Sequence, residues 1–148
     1  MNLSWDGEEN IPAAKETVWS FINDPAKIAA CLPEVESTSI TGPSSFDAVV
    51  RVALGPVKGK FNFKIALVPR SDGNHMDLKI NGGGLGSVVD LVAGADLIAS
   101  GDRATILKWH GDCSVRSPAA TVGGRVLDAQ AHRVIETTFG NVKKALSV

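Results

Sequence analysis

The histidines and cysteines, the side chains that most often act as metal ligands, bases or nucleophiles, are widely separated in this sequence. His75, His110 and His132 have no metal-ligand spacing between any two of them, and each occupies a polar or charged position. Cys31 and Cys113 sit among apolar neighbours, and neither has a base beside it in the sequence. We therefore predict surface histidines, buried thiols, and neither a catalytic nor a metal-ligating residue.

A glycine-rich run and two isolated aspartates are the remaining chemical candidates. Residues 82–87 (GGGLGS) invite comparison with a phosphate-binding loop, but no GK[ST] motif and no strand–loop–helix unit surrounds them. We predict a flexible hairpin or bulge there, with mobile glycines that could gate a cavity. Asp90 and Asp96 stand in an apolar stretch, where burial can raise the pKa of a carboxyl group. We expect both to face solvent on the outside of the sheet. On one straight strand they would lie about 20 Å apart, too far for a catalytic carboxylate pair.

Composition indicates a single globular domain, residues 1–148, without a polyanionic partner. The length suits one hydrophobic core, and the net charge of -1 makes nucleic acid a poor candidate ligand. The chain begins with an acidic segment containing Asp6, Glu8 and Glu9, which is unlike a signal peptide. No apolar run reaches the roughly 18 residues of a membrane span. A cytoplasmic location is therefore expected.

The elements that must position these residues begin with a long C-terminal helix, predicted over residues 118–148. Pro118 suits a first helical turn, and apolar residues then recur at three- and four-residue steps over roughly five to eight turns. The predicted apolar stripe consists of Ala120, Leu127, Ala131, Val134, Ile135, Val142 and Leu146. A helix with such a stripe needs a large apolar surface to lie on.

Alternating sequences before this helix supply that surface. A first strand is predicted over residues 3–10, followed by a short helix from Ala13 and a second over residues 26–32. Six strands joined by short turns, which require antiparallel neighbours, then follow. Their predicted ranges are 35–41, 46–54, 61–67, 76–80, 85–100 and 105–115. The predicted fold is α+β: a curved antiparallel sheet of about six to seven strands around the long terminal helix, with two short helices after the first strand.

Motifs spread over nearly the whole chain are similar to those of one known family. They comprise residues 11–14 with Glu16, residues 18–19, 23–25 and 29–33, the turn GPVKGKF at 55–61, and residues 94–97 and 122–125. On these residues the chain resembles the carbon monoxide dehydrogenase G-subunit family of the START-like (helix-grip, SRPBCC) superfamily. The resemblance implies one START-like domain whose sheet and helix enclose a hydrophobic ligand cavity.

The resemblance also implies a non-catalytic accessory role beside a molybdenum-containing carbon monoxide dehydrogenase-type hydroxylase, in maturation, membrane recruitment or electron-acceptor coupling. The implied partners are a hydrophobic small molecule (a quinone, isoprenoid or lipid), that enzyme, and the inner face of the membrane through transient contact. No cofactor is implied. Glu34 replaces the glycine that usually follows Pro33 in the family, and the terminal helix is about seven residues shorter after Gly124, so it should cover less of the sheet.

We expect the cavity to be lined by apolar residues of the helices and the sheet. The predicted lining residues are Trp19, Leu32, Phe61, Phe63, Leu107, Trp109, Leu127, Ala131 and Ile135. The four strand residues in this set alternate with charged or polar neighbours, which predicts that they face the terminal helix.

Two other functional classes stay open at this point. A helix-grip enzyme acting on an apolar substrate, such as a cyclase, dehydratase or hydrolase, would need convergent acid–base groups inside the cavity. Asp90, Asp96 and the histidines are the candidates, and the chain contains no Tyr. A protein–protein adaptor without a ligand is the third class. A co-purified apolar ligand would separate the carrier from both.

Overall fold

A computed structural model describes residues 1–54, 57–116 and 123–147. The order of the elements within these ranges agrees with the prediction, but the predicted turn at Gly55-Pro56 and the first residues of the predicted terminal helix, 118–122, lie outside the described residues. The elements are β1 (Asn2–Ile11), α1 (Lys15–Ile22), α2 (Pro25–Ala29), β2 (Val35–Gly42), β3 (Ser45–Leu54), β4 (Val57–Pro69), β5 (His75–Gly84), β6 (Ser87–Ala99), β7 (Thr105–Arg116) and α3 (Gly124–Leu146).

The seven strands form one curved antiparallel sheet in the order β1-β7-β6-β5-β4-β3-β2. One face, here called the inner face, is turned towards α3, and the opposite outer face is turned towards solvent. Phe61 and Leu107 on the inner face are each 3% exposed, and Phe63 and Trp109 are half-buried. Their strand neighbours Lys60, Lys64, Lys108 and His110 are exposed. The predicted register of β4 and β7 is therefore confirmed, as is the helix-grip architecture.

The terminal helix α3 has 23 residues, or about six turns. Gly123, just before it, has φ 93° and ψ 153°, a conformation that glycine adopts without steric cost and that interrupts a helix. The prediction of a continuous helix from Pro118 is therefore wrong at Gly123. A Cβ added to Gly140, inside α3, would have no atom within 4 Å, so no close contact requires a glycine there.

The two short helices meet at Asp24, as expected. The carboxylate of Asp24 accepts a hydrogen bond from the backbone N–H of Ala26 at 3.0 Å and so caps α2, while Pro25 occupies its first turn. The second helix ends earlier than the predicted Leu32 because the N–H of Leu32 bonds to the carbonyl of Ala29, a tighter turn than an α-helix makes. Inward-facing residues of α1, including Val18, are buried.

The glycine-rich run forms part of a strand rather than a flexible loop. Gly82, Gly83 and Gly84 pair within the β4–β5–β6 ladders, and the hairpin turn consists of Leu85 and Gly86, with φ 56° and 79°. A Cβ on Gly82 would collide with the backbone carbonyl of Asn62, and Gly83 and Gly84 face similar collisions with neighbouring strands. The predicted hairpin is confirmed, but the three glycines themselves serve close backbone approach within the sheet.

Candidate functional site

Helix α3 runs along the inner face of the edge strand β1, in the same direction as that strand. Near its beginning, the indole N–H of Trp5 donates a hydrogen bond to Asp128 at 2.6 Å. Near its end, the ammonium group of Lys143 lies 2.8 Å from a carboxylate oxygen of Glu9. Trp5 and Glu9 are four residues apart on β1 and point to the same face, so these two polar contacts hold both ends of the helix to one strand.

The C-terminal half of α3, residues 139–146, packs closely against the rest of the molecule. Val142 is 4% exposed and belongs to the main hydrophobic core. The Phe139 ring lies 5.8 Å from the indole of Trp109, measured between ring centroids. The side-chain amide of Asn141 donates to the backbone carbonyl of Cys31 at 2.9 Å, which ties the helix to the segment after α2. We call this the closed half of the helix–sheet interface, although its far end borders an open cleft between α3 and the helical pair.

The N-terminal half of α3, residues 124–135, is packed less completely. Its inward apolar residues Leu127, Ala131, Val134 and Ile135 are all only half-buried. Leu127 contacts a small second core cluster that contains Phe61. The apolar stripe therefore continues along the whole helix. Phe139 and Leu146 in the C-terminal half are half-buried too, but they pack against the main core around Val142. Ala131, Val134 and Ile135 join neither core cluster, so we call the N-terminal half the open half.

The predicted cavity residues occupy this space in two groups. Trp19, Leu32, Phe63, Leu107 and Trp109 belong to or pack against the main core. The second cluster includes Phe61, Phe63 and Leu127, so Phe63 joins the two groups. Ala131 and Ile135 are half-buried but are part of neither cluster. Whether these residues bind a ligand stays a prediction.

A glycine on β1 makes room for the indole of Trp109 between helix and sheet. Gly7 is paired with Trp109 across the β1–β7 ladder. A Cβ on Gly7 would lie 2.8 Å from Cζ2 and 3.1 Å from Nε1 of the indole, closer than a real side chain tolerates. The indole therefore lies against the strand backbone, with Phe139 on α3 beyond it.

Two further glycines do the same for the aromatic residues of β4. A Cβ on Gly82 would lie 2.9 Å from Cδ1 of Phe63, and a Cβ on Gly84 would lie 3.0 Å from Cδ1 of Phe61. Both rings can therefore lie across the backbone of β5 rather than stand upright from the sheet. Their centroids are 6.1 Å apart, within the usual range for an aromatic pair.

Sequence reasoning missed three residues of this interface: Trp5, Gly7 and Phe139. Phe139 follows Ile135 by four residues and precedes Val142 by three, so the helical periodicity contained the signal. Trp5 also alternates onto the inner face of a strand. Nothing in the sequence indicates that Gly7 lies beneath Trp109, because their pairing depends on the β1–β7 register.

Two open clefts lie outside this space. One, of about 420 Å³, is on the outer face between β1 and β5–β7, and it includes Lys79, Asp90 and Asp112. The other, of about 720 Å³, lies between the helical pair and the end of α3, and it includes Phe21, Lys27 and Leu146 among its lining residues. Neither cleft is lined by any of the nine predicted cavity residues.

The titratable candidates from the sequence are turned away from the inner face. Asp90 pairs with Arg116 at 3.4 Å, and Asp96 pairs with His75 at 2.7 Å. His75 is the first residue of β5, not part of a turn as predicted, and its second ring nitrogen lies 2.8 Å from Asp77. The hydrogen bonds with Asp77 and then Asp96 raise the pKa of the imidazole.

The cysteines and the other two histidines are placed as predicted. His110 and His132 are exposed, whereas Cys31 and Cys113 are buried. Desolvation raises the pKa of both thiols, which makes them poorer nucleophiles at neutral pH. Within residues 1–54, 57–116 and 123–147, no group of three or more His, Cys, Asp or Glu side chains is arranged to hold a metal ion. No helix in the same ranges combines the length and hydropathy of a membrane span.

Several solved structures are similar to this chain over nearly its whole length. A conserved protein from Geobacillus kaustophilus is similar with TM-score 0.88 and 26% identity, over 98% of this chain and 95% of that one. A START superfamily protein from Mycobacterium smegmatis is similar with TM-score 0.75 and 16% identity, over 97% of both chains. A norcoclaurine synthase point mutant from Thalictrum flavum is similar with TM-score 0.68 and 15% identity, over 99% of this chain and 94% of that one.

The last two structures, at such low identity, support the fold alone. No curated protein sequence matches the chain. The family model for the G-subunit of carbon monoxide dehydrogenase (CoxG) matches residues 7–147, which include both ends of the helix–sheet interface. The chain therefore belongs to the CoxG family, the carbon monoxide dehydrogenase G-subunit family.

Proposed function

We propose that this protein is a non-catalytic accessory protein that binds a hydrophobic small molecule between α3 and the inner face of the sheet. The ligand is a quinone, isoprenoid or lipid. The protein acts beside a molybdenum-containing carbon monoxide dehydrogenase-type hydroxylase, in its maturation, membrane recruitment or electron-acceptor coupling. Family membership supports the accessory role, and the START-like fold supports a ligand space between sheet and helix.

One observation carries the binding part of the proposal: the inward apolar residues of the N-terminal half of α3 stay half-buried. Ala131 and Ile135 line the predicted cavity and join neither core cluster, whereas Phe139 and Leu146 in the other half, half-buried as well, pack against the main core around Val142. Apolar side chains that face a sheet and still reach solvent are what an apolar ligand can cover, because covering them removes more hydrocarbon surface from water.

The proposal predicts that bulk added inside this space blocks binding. Leu127→Trp or Ile135→Trp should abolish uptake of the apolar molecule that co-purifies from the host, measured by native mass spectrometry after mild extraction. Because the proposed cavity leaves room for the new side chain, the loss of stability should be below the roughly 1–3 kcal/mol of an overpacked core. Val126→Trp is the matched control, since Val126 is 43% exposed on the outer side of the same helix.

A large loss of stability in Leu127→Trp with unchanged ligand uptake would contradict the proposal and indicate a solid core. Equal loss of uptake in Val126→Trp would indicate a surface effect of tryptophan instead. Absence of a co-purified apolar molecule from the parent protein would count against the carrier role and favour an adaptor without a ligand.

A helix-grip enzyme acting on an apolar substrate is the second candidate, favoured by the similarity in fold to norcoclaurine synthase. Among the described residues, Glu9 and Asp128 are carboxylates that contact partners on the inner face or α3, whereas the sequence candidates Asp90 and Asp96 lie on the outer face. Asp90→Asn with Asp96→Asn should leave the activity of the host's carbon monoxide dehydrogenase-type enzyme, and its coupling to electron acceptors, unchanged. Lost activity in a folded, ligand-retaining double variant would favour the enzyme.

A further inference from the structure

The indole N–H of Trp109 is a buried hydrogen-bond donor without an acceptor. Within the described parts of the chain, Nε1 of Trp109 is the one side-chain nitrogen or oxygen of a non-exposed residue that is both shielded from solvent and unpartnered. Folded proteins satisfy the large majority of such groups, because an unpaired buried donor destabilises the folded state. The surroundings of the unpaired Trp109 N–H should therefore explain why it has no acceptor.

That place is the boundary between the closed and the open halves of the helix–sheet interface. Trp109 lies beside Gly7, and Gly7 is midway along β1 between Trp5 and Glu9, the two residues that bind the beginning and the end of α3. Phe139 closes one side of the indole. The next inward residue one turn earlier, Ile135, is half-buried and belongs to the open half.

The other polar groups on the inner face already have partners. The N–H of Trp5 donates to Asp128 at 2.6 Å, and Glu9 accepts from Lys143 at 2.8 Å. The hydroxyl of Thr105 donates to the backbone carbonyl of Ala13 at 2.8 Å. An unused donor at the edge of an apolar space is therefore found at Trp109 and not at these neighbours.

We infer that Trp109 is the polar anchor of the ligand space and donates its N–H to an oxygen atom of the bound molecule. The ligand class is then an apolar molecule that carries an accepting oxygen, such as a carbonyl, since an indole N–H donates and does not accept. Apolar pockets commonly fix the orientation of a ligand with a few such groups. Because Nε1 is shielded and lies against β1, where a Cβ on Gly7 would be 3.1 Å from it, binding requires the indole to turn away from β1 towards the ligand.

This inference rests on the proposed function, and a pair of probes separates the two. The ketone 2-acetylnaphthalene and the hydrocarbon 2-ethylnaphthalene have nearly the same shape and differ in one carbonyl oxygen. Equilibrium dialysis should give tighter binding of the ketone to the parent protein. Trp109→Phe should weaken the ketone about 5–10-fold, a typical effect of one lost hydrogen bond, and should change the hydrocarbon by less than about twofold.

Trp5→Phe is the matched control, because the N–H of Trp5 is already used by Asp128. It should alter both probes equally and should lower the melting temperature, whereas Trp109→Phe removes an unpaired donor and should not lower it through hydrogen bonding. Replacement of Trp109 by 3-benzothienylalanine keeps the bicyclic shape without the N–H. It therefore repeats the test if the smaller phenyl ring disturbs packing.

Suppose both probes bind and neither Trp109 replacement selectively weakens binding of the ketone. That result would overturn the role of Trp109 as polar anchor and leave the proposed binding of an apolar molecule intact. Failure of both probes to bind the parent protein would overturn the carrier and the anchor together. If Trp5→Phe selectively weakened binding of the ketone, Trp5 rather than Trp109 would be the donor, and the inference would also be overturned.

Discussion

The two halves of α3 carry the same apolar periodicity but differ in how they are packed. In residues 139–146, Val142 is buried in the main core, and Phe139 and Leu146, although half-buried, pack against that core. Asn141 is bonded to the backbone after α2, and Lys143 is paired with Glu9. In residues 124–135, the inward apolar residues are half-buried, and the hydrogen bond from Trp5 to Asp128 is the main described link to the sheet. One helix thus combines a fixed end with an end whose apolar surface can be covered by something else.

The difference arises from what lies opposite each half. Val18 and Ile22 of the helical pair α1–α2 join the same core as Val142 in the C-terminal half, although an open cleft lies between that pair and the end of α3. The N-terminal half faces strands whose aromatic rings lie across glycines, as Phe63 does over Gly82. The same helix therefore meets the main core at one end and only the smaller second cluster at the other.

The largest expected effect compares one substitution in the two halves. Val142→Asn should lower the free energy of unfolding by about 3 kcal/mol, since it removes a buried apolar side chain and leaves an amide without partners. Leu127→Asn should cost about 1 kcal/mol, because the side chain there still reaches water. Urea denaturation followed by circular dichroism measures both.

Equal losses at the two positions would remove the distinction between a closed and an open half. A larger loss at Leu127 would reverse it. An unchanged urea m-value in both variants is needed for the comparison, because the m-value reports the surface exposed on unfolding.

A smaller effect is expected where Trp109 stands between the halves. Gly7→Ala should destabilise the protein by roughly 1–3 kcal/mol, because the new Cβ would overlap the indole and press it towards Phe139. Gly111→Ala is a matched control on the inner face of β7, where a Cβ would make ordinary contacts of 3.7 Å and 3.9 Å. That change should be neutral or stabilising by up to about 1 kcal/mol. Equal melting temperatures of the two variants would indicate that Trp109 is free to move aside.

Much of this architecture could be predicted from local pattern. The alternation of Phe61 and Phe63 with lysines correctly indicated the inner face, and the Asp24-Pro25 corner correctly indicated two helices. Such signals are local, because burial on one face of a strand or helix repeats at the period of that element.

What could not be predicted depends on contacts between distant residues. Gly82–84 were predicted to belong to a flexible hairpin or bulge because glycine is common there, whereas the collision that excludes a side chain at Gly82 comes from Asn62 on another strand. The contact of Gly7 with Trp109 and the bond from Trp5 to Asp128 each span more than 100 residues. The unequal packing of α3 is of the same kind, since it depends on which elements lie opposite each turn.

The smallest effect belongs to the outer face of the sheet, which serves as the reference for the helix–sheet interface. His75 lies between Asp77 and Asp96, at 2.8 Å and 2.7 Å, and these hydrogen bonds raise the pKa of its imidazole above the unfolded value of about 6.5. The folded state therefore binds the proton more tightly than the unfolded state. The resulting stabilisation is fully present below about pH 6.5 and is lost as the pH rises through the folded pKa. Asp77 and Asp96 are 55% and 57% exposed, so water screens the pair and the expected change in melting temperature is only about 1–3 °C.

His75→Gln should remove that part of the pH dependence, and 1 M salt should weaken it in the parent protein, because salt screens exposed charges. Melting temperatures of parent and variant between pH 5.5 and about 8.5 test this, together with an NMR titration of the His75 ring. Superimposable pH profiles would show that the imidazolium does not stabilise the fold. If His75→Gln instead cost as much as Val142→Asn, stability would reside on the outer face as much as beneath α3. The contrast between the two halves of the helix would then no longer explain where this fold is held together.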